Sequence, residues 1–147
     1  VVPCCSLQRD PGGEIRIGKR VGLNGKAITS KNLGQIGDGT MIAPNVIIVD
    51  SDFNAQWPPD ARLVSSTGDT DREVIIRANV WIGMNTVILK GTRIGDNSII
   101  GASSLVSGII PADVVAGGNP ARVLRPLRDD TAVVRADEPL SRMEPTL

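Results

Sequence analysis

The segment IIVDSDFNAQWPPDAR, from Ile47 to Arg62, concentrates side chains that could do chemistry. Two carboxylates, Asp50 and Asp52, could accept protons or hydrogen-bond a polyol, and the carboxamide of Asn54 follows them. Trp57 stands between polar residues and a Pro pair, where exposing a large aromatic ring is costly. We therefore interpret the segment as a binding surface, with a mobile surface loop as the alternative.

The residues that are absent narrow this chemistry. The chain has no histidine, so an imidazole acting as general base is excluded for this sequence. Sixteen basic residues balance sixteen acidic ones, which leaves no diffuse positive field for nucleic acid or an anionic membrane. The cysteines, Cys4 and Cys5, are adjacent, and two cysteines without histidine do not make a four-ligand zinc site. We expect reduced thiols and no metal.

The sequence shows no targeting signal for a compartment outside the cytoplasm. No run approaches the ~20 apolar residues of a membrane span, and no signal peptide opens the sequence. A length of 147 residues suits one domain. We expect a cytoplasmic protein without a membrane partner, with a single domain over residues 1–127 and a tail over residues 128–147.

A repeat of six residues organises most of the chain. An aliphatic residue begins each hexad, and a small residue usually follows it. The hexads are IGKRVG and LNGKAI at 17 and 23, IGDGTM, IAPNVI and IVDSDF at 36, 42 and 48, and IRANVW, IGMNTV, ILKGTR, IGDNSI, IGASSL and VSGIIP at 76, 82, 88, 94, 100 and 106. A fixed short period indicates a solenoid, in which each repeat buries its apolar face against its neighbours.

The hexads predict an all-β fold, a parallel β-helix with three hexads in each coil. The first residue of each hexad points inward, and the fifth supplies a second inward residue, as at Val46 and Thr86. A β-sandwich of short strands is the alternative, but it predicts turns every 8–12 residues or so. The period breaks twice. One extra residue lies between Ile28 and Ile36, and residues 54–73 form a long loop expected to protrude from one face.

The segment after the last hexad contains a turn and an arginine cluster. Pro111 ends the last strand, and GGNP indicates a tight turn. Arg122, Arg125 and Arg128 recur at every third position, which predicts a short helix or turn that gathers their guanidinium groups. Such a cluster suits a phosphate-bearing ligand, and a solvated helix face is the alternative. We expect the weakly patterned tail to be a partly ordered extension that packs on a neighbouring subunit.

The stretch VWIGMNTVILKGTRIGDNSIIGASSLVSGIIPADVVAGGNPARVLR, from Val80 to Arg125, resembles the hexapeptide-repeat acyltransferases. The resemblance covers roughly residues 14–126 and points to the sugar and polysaccharide O-acetyltransferase branch, which includes galactoside and maltose O-acetyltransferases. It implies a left-handed β-helix, an exception to the usual right-handed crossover. It also implies a homotrimer, with acetyl-CoA in the groove between adjacent subunits.

The same resemblance implies roles along that groove. The backbone at Met84 and Ala102 is expected to hydrogen-bond the pantetheine arm, with Ser107 near the adenine end. Arg122 and Arg125 are expected to face the nucleotide phosphates. A further implied position, Trp81, matches a Trp that borders the acceptor and the thiol end, and packing at a corner of the coil is the alternative for it.

The acceptor side departs from the family pattern. In the galactoside branch an Asn thirty residues before the catalytic His contacts the acceptor, and Asn24 stands thirty residues before Asn54. Where relatives carry that His, this chain reads DSDFN. A hydroxyl attacks a thioester poorly unless a base removes its proton, an assistance worth ~10²–10⁴ in rate. An imidazole supplies it at neutral pH and a carboxamide does not, so binding can persist while turnover falls.

The other acceptor residues have expected roles that depend on Asn54. Asp50 and Asp52 are expected to orient an imidazole or to bind sugar hydroxyls, and either is only a weak substitute base. Trp57 is expected to stack on the sugar ring and Arg62 to contact the acceptor. Three explanations stand for Asn54: an engineered His→Asn change that traps substrate, a natural loss in a binding relative, and a natural enzyme that uses Asp52 or the substrate's own amine.

Two classes of function follow. The leading hypothesis is an acetyl-CoA-dependent O-acetyltransferase acting on a sugar or a surface-polysaccharide unit. A close variant acetylates the nitrogen of an amino sugar, because a free amine depends less on a strong base. The contrasting class is a non-catalytic trimeric protein that retains the groove and binds CoA and sugar.

Overall fold

The computed structural model describes residues 6–9, 11–25, 27–63 and 71–128. Cys4, Cys5, part of the inserted loop and the tail from residue 129 lie outside the described residues. The described chain passes through three sheets in strict rotation, and strands within each sheet pair in parallel up to the last hairpin. This arrangement confirms the parallel β-helix predicted from the hexads.

The strands are short because each crosses one face of a three-sided prism. Sheet A contains β1 (Ser6–Arg9), β4 (Ala27–Ser30), β7 (Ile47–Val49), β10 (Val87–Ile88) and β13 (Leu105–Val106). Sheet B contains β2 (Glu14–Ile17), β5 (Leu33–Ile36), β8 (Val74–Ile76), β11 (Arg93–Ile94) and β14 (Ile109–Ile110). Sheet C contains β3 (Gly22–Leu23), β6 (Met41–Ile42), β9 (Trp81–Ile82), β12 (Ile99–Ile100), β15 (Val114–Gly118) and β16 (Ala121–Pro126). We call the turns between sheets the A–B, B–C and C–A corners.

Ile17 begins the first hexad and is in register with Ile36, but on the end strand of sheet B it is 39% exposed. The strand register stacks the other inward residues, most of which begin a hexad, into columns. These columns are Ile28, Ile48, Ile88 and Val106 in sheet A, Ile36, Ile76, Ile94 and Ile110 in sheet B, and Leu23, Ile42, Ile82, Ile100 and Ala116 in sheet C. All except the half-buried Leu23 are buried and form the core. Burying one such isoleucine stabilises the fold by about 1.5–3 kcal/mol, so the columns hold the coils together.

The other positions of the hexad behave as predicted. The fifth position is inward and buried in Thr40, Val46, Val80, Thr86 and Ser98. Where it is polar, its hydroxyl donates to the neighbouring coil, as Ser98 does to the Pro111 carbonyl at 2.6 Å. The second position is small because the coils nearly touch there. A Cβ on Gly83 would lie 2.5 Å from the backbone nitrogen of Ala102.

The irregular steps of the coil collect mainly at the A–B corner. Five residues separate the inward Leu23 from Ile28 and eight separate Ile28 from Ile36, so the predicted extra residue is the net of a short step and a long one. The inserted loop leaves the coil directly after Val49, four residues before the predicted start. The last hexad is also shorter than predicted, since the inward position after Val106 is Ile110.

The C-terminal segment is a hairpin rather than a helix. Strands β15 and β16 pair antiparallel around the predicted tight turn, where Gly118 has a φ of 100°. The short helix or turn predicted for the arginines is therefore wrong, because Arg122 and Arg125 lie on β16. A bulge pairs Arg125 with Val115 and Arg122 with Gly117, so the two arginines share one face despite their odd spacing. No helix among the described residues is long and apolar enough to cross a membrane.

Candidate active site

The inserted loop begins with Asp50, whose carboxylate is buried and hydrogen-bonded within the protein. Asp50 is 1% exposed, and its Oδ2 accepts hydrogen bonds from the Ser30 hydroxyl at 2.7 Å and the Asn32 N–H at 2.9 Å. Its Oδ1 accepts the N–H of Lys31 at 2.8 Å. These hydrogen bonds show that Asp50 stabilises the irregular turn between Ile28 and Ile36 in the preceding coil. The sugar contact expected of Asp50 has no exposed carboxylate oxygen to serve it.

Asp52 is held by two partners at the A–B corner. Its Oδ2 is hydrogen-bonded by Gln56 from within the loop and paired with Lys90 from the next coil. The side chains of Asp52 and Lys90 are 28% and 25% exposed, so the ion pair is partly shielded from water. Because two donors already contact Oδ2, that oxygen of Asp52 is poorly placed to take a proton from an acceptor.

Asn54 is presented by a strained turn. Phe53, just before it, has a φ of 63°, which is unusual for a bulky residue. The Asn54 N–H donates to the Asp52 carbonyl at 2.8 Å, and its Nδ2 donates to the carbonyl of Arg62 at 2.6 Å. The carboxamide nitrogen is therefore occupied, and no described residue donates to Oδ1. The side chain is exposed, and its hydrogen bond to Arg62 within the same loop fixes its orientation.

The outer part of the loop exposes the remaining acceptor candidates. Trp57 is 80% exposed, and a short 3₁₀ helix over Pro59–Leu63 carries Arg62, whose side chain is exposed. Asn54, Trp57 and Arg62 are therefore all exposed on the same loop. In the described residues the ring of Trp57 packs into no core.

The C–A corner carries two exposed backbone donors on successive coils. Met84 and Ala102 occupy equivalent turn positions after the paired Ile82 and Ile100, and both are exposed. In the part of the chain that the structure describes, neither N–H has a hydrogen-bond partner. Coils stack about 4.8 Å apart, so these donors form a short row parallel to the coil axis. Asn24 lies at the same corner in an earlier coil.

The other expected donor-side residues lie on strands β9 and β16 and in the turn after β13. Trp81 is on β9, on the outer face of sheet C, and is 51% exposed. Arg122 and Arg125 are exposed on β16 of the same sheet, where, within the described part of the chain, each guanidinium donates only to nearby backbone carbonyls. Ser107 is exposed but lies at the A–B corner, directly after β13.

One chain therefore holds two separated halves of the expected site. Asn24, Met84 and Ala102 line the C–A corner, whereas Asp52, Asn54 and Trp57 lie at the A–B corner. Sheet A lies between the two corners. Ala102 and Ser107 are five residues apart across it, which at ~3.3 Å per residue separates the corners by roughly 15 Å.

Several residues of this region escaped sequence reasoning. Lys90, Gln56 and Ser30 contact the two acids, and the Lys31 ammonium lies 5.3 Å from the centre of the Phe53 ring. Lys90 is 38 residues from Asp52 along the chain, and only the stacking of β7 on β10 brings their turns together. Aligning the hexads that begin at Ile48 and Ile88 would have indicated this contact, because that alignment places the turns after β7 and β10 side by side.

The geometry has counterparts among known proteins. Residues 73–108 match the bacterial transferase hexapeptide (six repeats) family. The chain is 38% identical over 120 residues to the galactoside O-acetyltransferase of Escherichia coli (strain K12), covering 80% of this chain and 57% of that protein. A galactoside acetyltransferase structure in complex with coenzyme A matches with a TM-score of 0.71 and 37% identity, covering 79% of this chain and 56% of that one.

A second structure gives the same result. The maltose O-acetyltransferase of Clostridium difficile 630 matches with a TM-score of 0.65 and 33% identity, covering 78% of this chain and 60% of that one. The chain thus spans little more than half the length of these relatives. Together they confirm the left-handedness of the β-helix that the resemblance implied.

Proposed function

Since the chain belongs to the hexapeptide-repeat acyltransferases, in their sugar and polysaccharide O-acetyltransferase branch, we propose that it binds acetyl-CoA and a sugar for O-acetyl transfer. The acceptor we propose is a sugar or a surface-polysaccharide unit. The observation that carries the proposal is the row of N–H groups at Met84 and Ala102, which have no hydrogen-bond partner among the described residues. Acetyl-CoA is an intracellular metabolite, which supports the cytoplasmic location we expect.

The donor side fits the pantetheine arm of acetyl-CoA. This arm contains two amides, and backbone N–H groups at Met84 and Ala102 can donate to amide carbonyls along the corner. Arg122 and Arg125 share a face of β16 and carry the positive charge that phosphates need. Trp81, half exposed beside the C–A corner, is suited to the thiol end. When bound, acetyl-CoA supplies an acetyl group activated as a thioester.

On the acceptor side, Asn54 can bind a hydroxyl of the sugar but cannot act as a base toward it. Asn54 keeps its Nδ2 on the Arg62 carbonyl, which leaves Oδ1 to accept a hydrogen bond from a sugar hydroxyl. An imidazole in this position could make the same bond through one ring nitrogen and turn the other toward the hydroxyl. The loop therefore retains the contact that would orient a histidine. Trp57 offers an exposed ring for a sugar face.

A homotrimer would unite the two halves of the site. Exposed apolar side chains lie on sheets A and C, with Ile47 43%, Met41 55% and Trp81 51% exposed, and sheet B adds Ile109 at 76% beside the charges of Arg16 and Arg93. Packing around a three-fold axis would cover part of this apolar surface and place one subunit's A–B corner beside the next subunit's C–A corner. No nucleic acid or membrane partner is part of the proposal.

A non-catalytic CoA- and sugar-binding protein is the second candidate. The observation that favours it is the acceptor turn itself, where Asn54 has no basic nitrogen and Asp52 is occupied by Gln56 and Lys90. Transfer to the nitrogen of an amino sugar lies between the two candidates, because a free amine needs less help from a base.

Asn54→His separates these candidates. We expect it to raise the rate of acetyl transfer from acetyl-CoA to sugar hydroxyls by ~10²–10⁴, measured as CoA release over a panel of free, nucleotide-linked and polymeric sugars. Asn54→Gln is the matched control, since it alters the side chain without adding a base, and its rate should stay at the level of the parent chain. If Asn54→His binds acetyl-CoA yet transfers to no acceptor, the protein is the binding relative. Amino sugars in the panel report N-acetylation by the parent chain.

A further inference from the structure

We propose that Lys90 is a positioning residue of the acceptor site, which acts through Asp52 on whatever side chain stands at position 54. Its ammonium neutralises the Asp52 carboxylate and ties the start of the loop to the next coil. This inference rests on the proposed function, because it assigns a role within the same site.

The first support is the place of Lys90 in the fold. It lies in the turn between β10 and β11, at the A–B corner of the coil that stacks on β7. Its Nζ pairs with the same Asp52 oxygen that Gln56 contacts from within the loop. Asp52 is thereby linked at once to its own loop and to the rigid coil beside it. The partial burial of both charged side chains makes the pair stronger than a fully exposed one.

The second support is the strain in the turn that this pair anchors. Phe53 holds a positive φ that a bulky residue adopts only when its surroundings enforce it. The Phe53 N–H donates to the Ser51 hydroxyl at 2.9 Å, and the ring lies under the Lys31 ammonium. Lys31 and Lys90 come from the coils on either side of β7. The turn is therefore clamped from both neighbouring coils, and Lys90 is the clamp attached to the residue two positions before Asn54.

The charges around position 54 decide what the clamp does electrostatically. Among the described residues, the loop contributes the acids Asp50, Asp52, Asp60, Asp71 and Glu73 and the base Arg62, and the adjacent turns contribute Lys31 and Lys90. Arg72 joins the group through its N–H, which donates to the Asp50 carbonyl at 2.9 Å. Asp50 is buried among three donors. Asp52 lies two residues before position 54, and its negative charge is compensated by Lys90. Removing Lys90 would leave that carboxylate uncompensated.

The absence of histidine makes this effect directly measurable. Because the chain contains no histidine, the imidazole introduced by Asn54→His gives a single ring signal in a tag-free protein. Its pKa can be followed by NMR, starting from an ordinary value near ~6.5. In Asn54→His, Lys90→Met should raise this imidazole pKa, because the Asp52 carboxylate then favours the charged ring. We expect the proton affinity of the imidazole to rise about threefold or more.

The control variants distinguish position from charge and from general damage. Lys90→Arg keeps the cation and should keep the imidazole pKa of Asn54→His. Lys19→Met removes an exposed lysine at the B–C corner and should change nothing at position 54. Where Asn54→His transfers acetyl groups, Lys90→Met should lower kcat about tenfold and move the acidic limb of the kcat/KM profile to higher pH.

The outcomes separate this inference from the proposed function. An imidazole pKa that is the same with and without the Lys90→Met substitution, in protein shown to be folded by circular dichroism, overturns the role of Lys90. Should Lys90→Met fail to fold, Lys90→Gln is measured in its place and is judged by the same criterion. If Asn54→His is inactive on every sugar but its imidazole pKa responds to Lys90→Met, the positioning role stands and the transferase proposal fails.

Discussion

The B–C and C–A corners of the same two coils differ in how their backbone donors are treated. At the B–C corner the Ala78 N–H is capped by the side chain of Asp96 on the next coil at 2.9 Å. At the C–A corner, six residues further on, the equivalent N–H of Met84 faces Ala102, which has no polar side chain to cap it. The coils are otherwise alike in register and in their buried isoleucines.

Side chains also join successive coils at both corners: at the C–A corner Asn45 donates to Asn85 at 3.2 Å, and the B–C corner carries a longer ladder. In this ladder Asn79 donates to Asn97 at 3.0 Å and Asn97 donates to Asp113 at 2.8 Å. A repeat that needs only stability satisfies its turn donors internally, since an unpaired backbone group is costly. The missing cap at Met84, among the residues that the structure describes, supports our proposal that the donor groove lies at the C–A corner.

The largest expected effect comes from closing the open corner. Ala102→Asp places a carboxylate where Asp96 stands at the other corner, so it should cap the Met84 N–H. We expect acetyl-CoA affinity to fall about 100-fold, because a pantetheine contact is lost and a negative charge is added. Isothermal titration calorimetry measures the change.

Ala112→Asp is the matched control for this substitution. Ala112 stands one coil beyond Asp96 at the B–C corner, in the relation that Ala102 has to Met84. It adds the same charge to a corner that binds nothing in the proposal, so acetyl-CoA affinity should hold within about twofold. Equal losses in both variants would contradict the assignment of the groove to the C–A corner.

A smaller effect follows from opening the closed corner. Asp96→Ala removes the cap from Ala78 and should lower the free energy of unfolding by about 1 kcal/mol, since the bond is charge-assisted but exposed. Acetyl-CoA affinity should be unchanged. Urea unfolding at one fixed protein concentration measures the first quantity, because assembly would make apparent stability depend on concentration. A loss of acetyl-CoA binding would show that the two corners are coupled.

The smallest effect separates the ladder from backbone conformation. Asn97 has a φ of 62°, which asparagine and glycine tolerate better than alanine. We expect Asn97→Gly to cost about 0.5 kcal/mol through the lost side-chain bonds, and Asn97→Ala to cost about 1 kcal/mol more. Thermal unfolding of the two variants measures the difference. Equal costs would mean that the ladder, rather than the left-handed turn, determines the residue at this position.

The sequence predicted the regular coils better than the acceptor side, for a physical reason. The inward columns follow from the hexads because each isoleucine stacks on the equivalent residue of the next coil. The open C–A corner was also visible, since IGDN and IGAS differ at the capping position. The hydrogen bonds of Asp50 and the Lys90 contact depend on turns of irregular length, where no repeat sets the geometry.

The C-terminal prediction failed because spacing alone does not distinguish a helix from a bulged strand. Arg122 and Arg125 are three residues apart, which would place them on one side of a helix. The hairpin achieves the same proximity by adding a residue to one strand opposite Val115 and Ala116. The hairpin register places Arg122 and Arg125 on one face, although the element that does so is a strand and not the predicted helix or turn.

The closing hairpin also limits how copies of this protein can associate. The end of a parallel β-helix is a row of unpaired backbone groups on which another chain could stack, leading to filaments. Here β16 turns back against β15, and Pro126 at its end has no N–H to offer a further strand. Addition of a further strand is therefore disfavoured at this edge of sheet C.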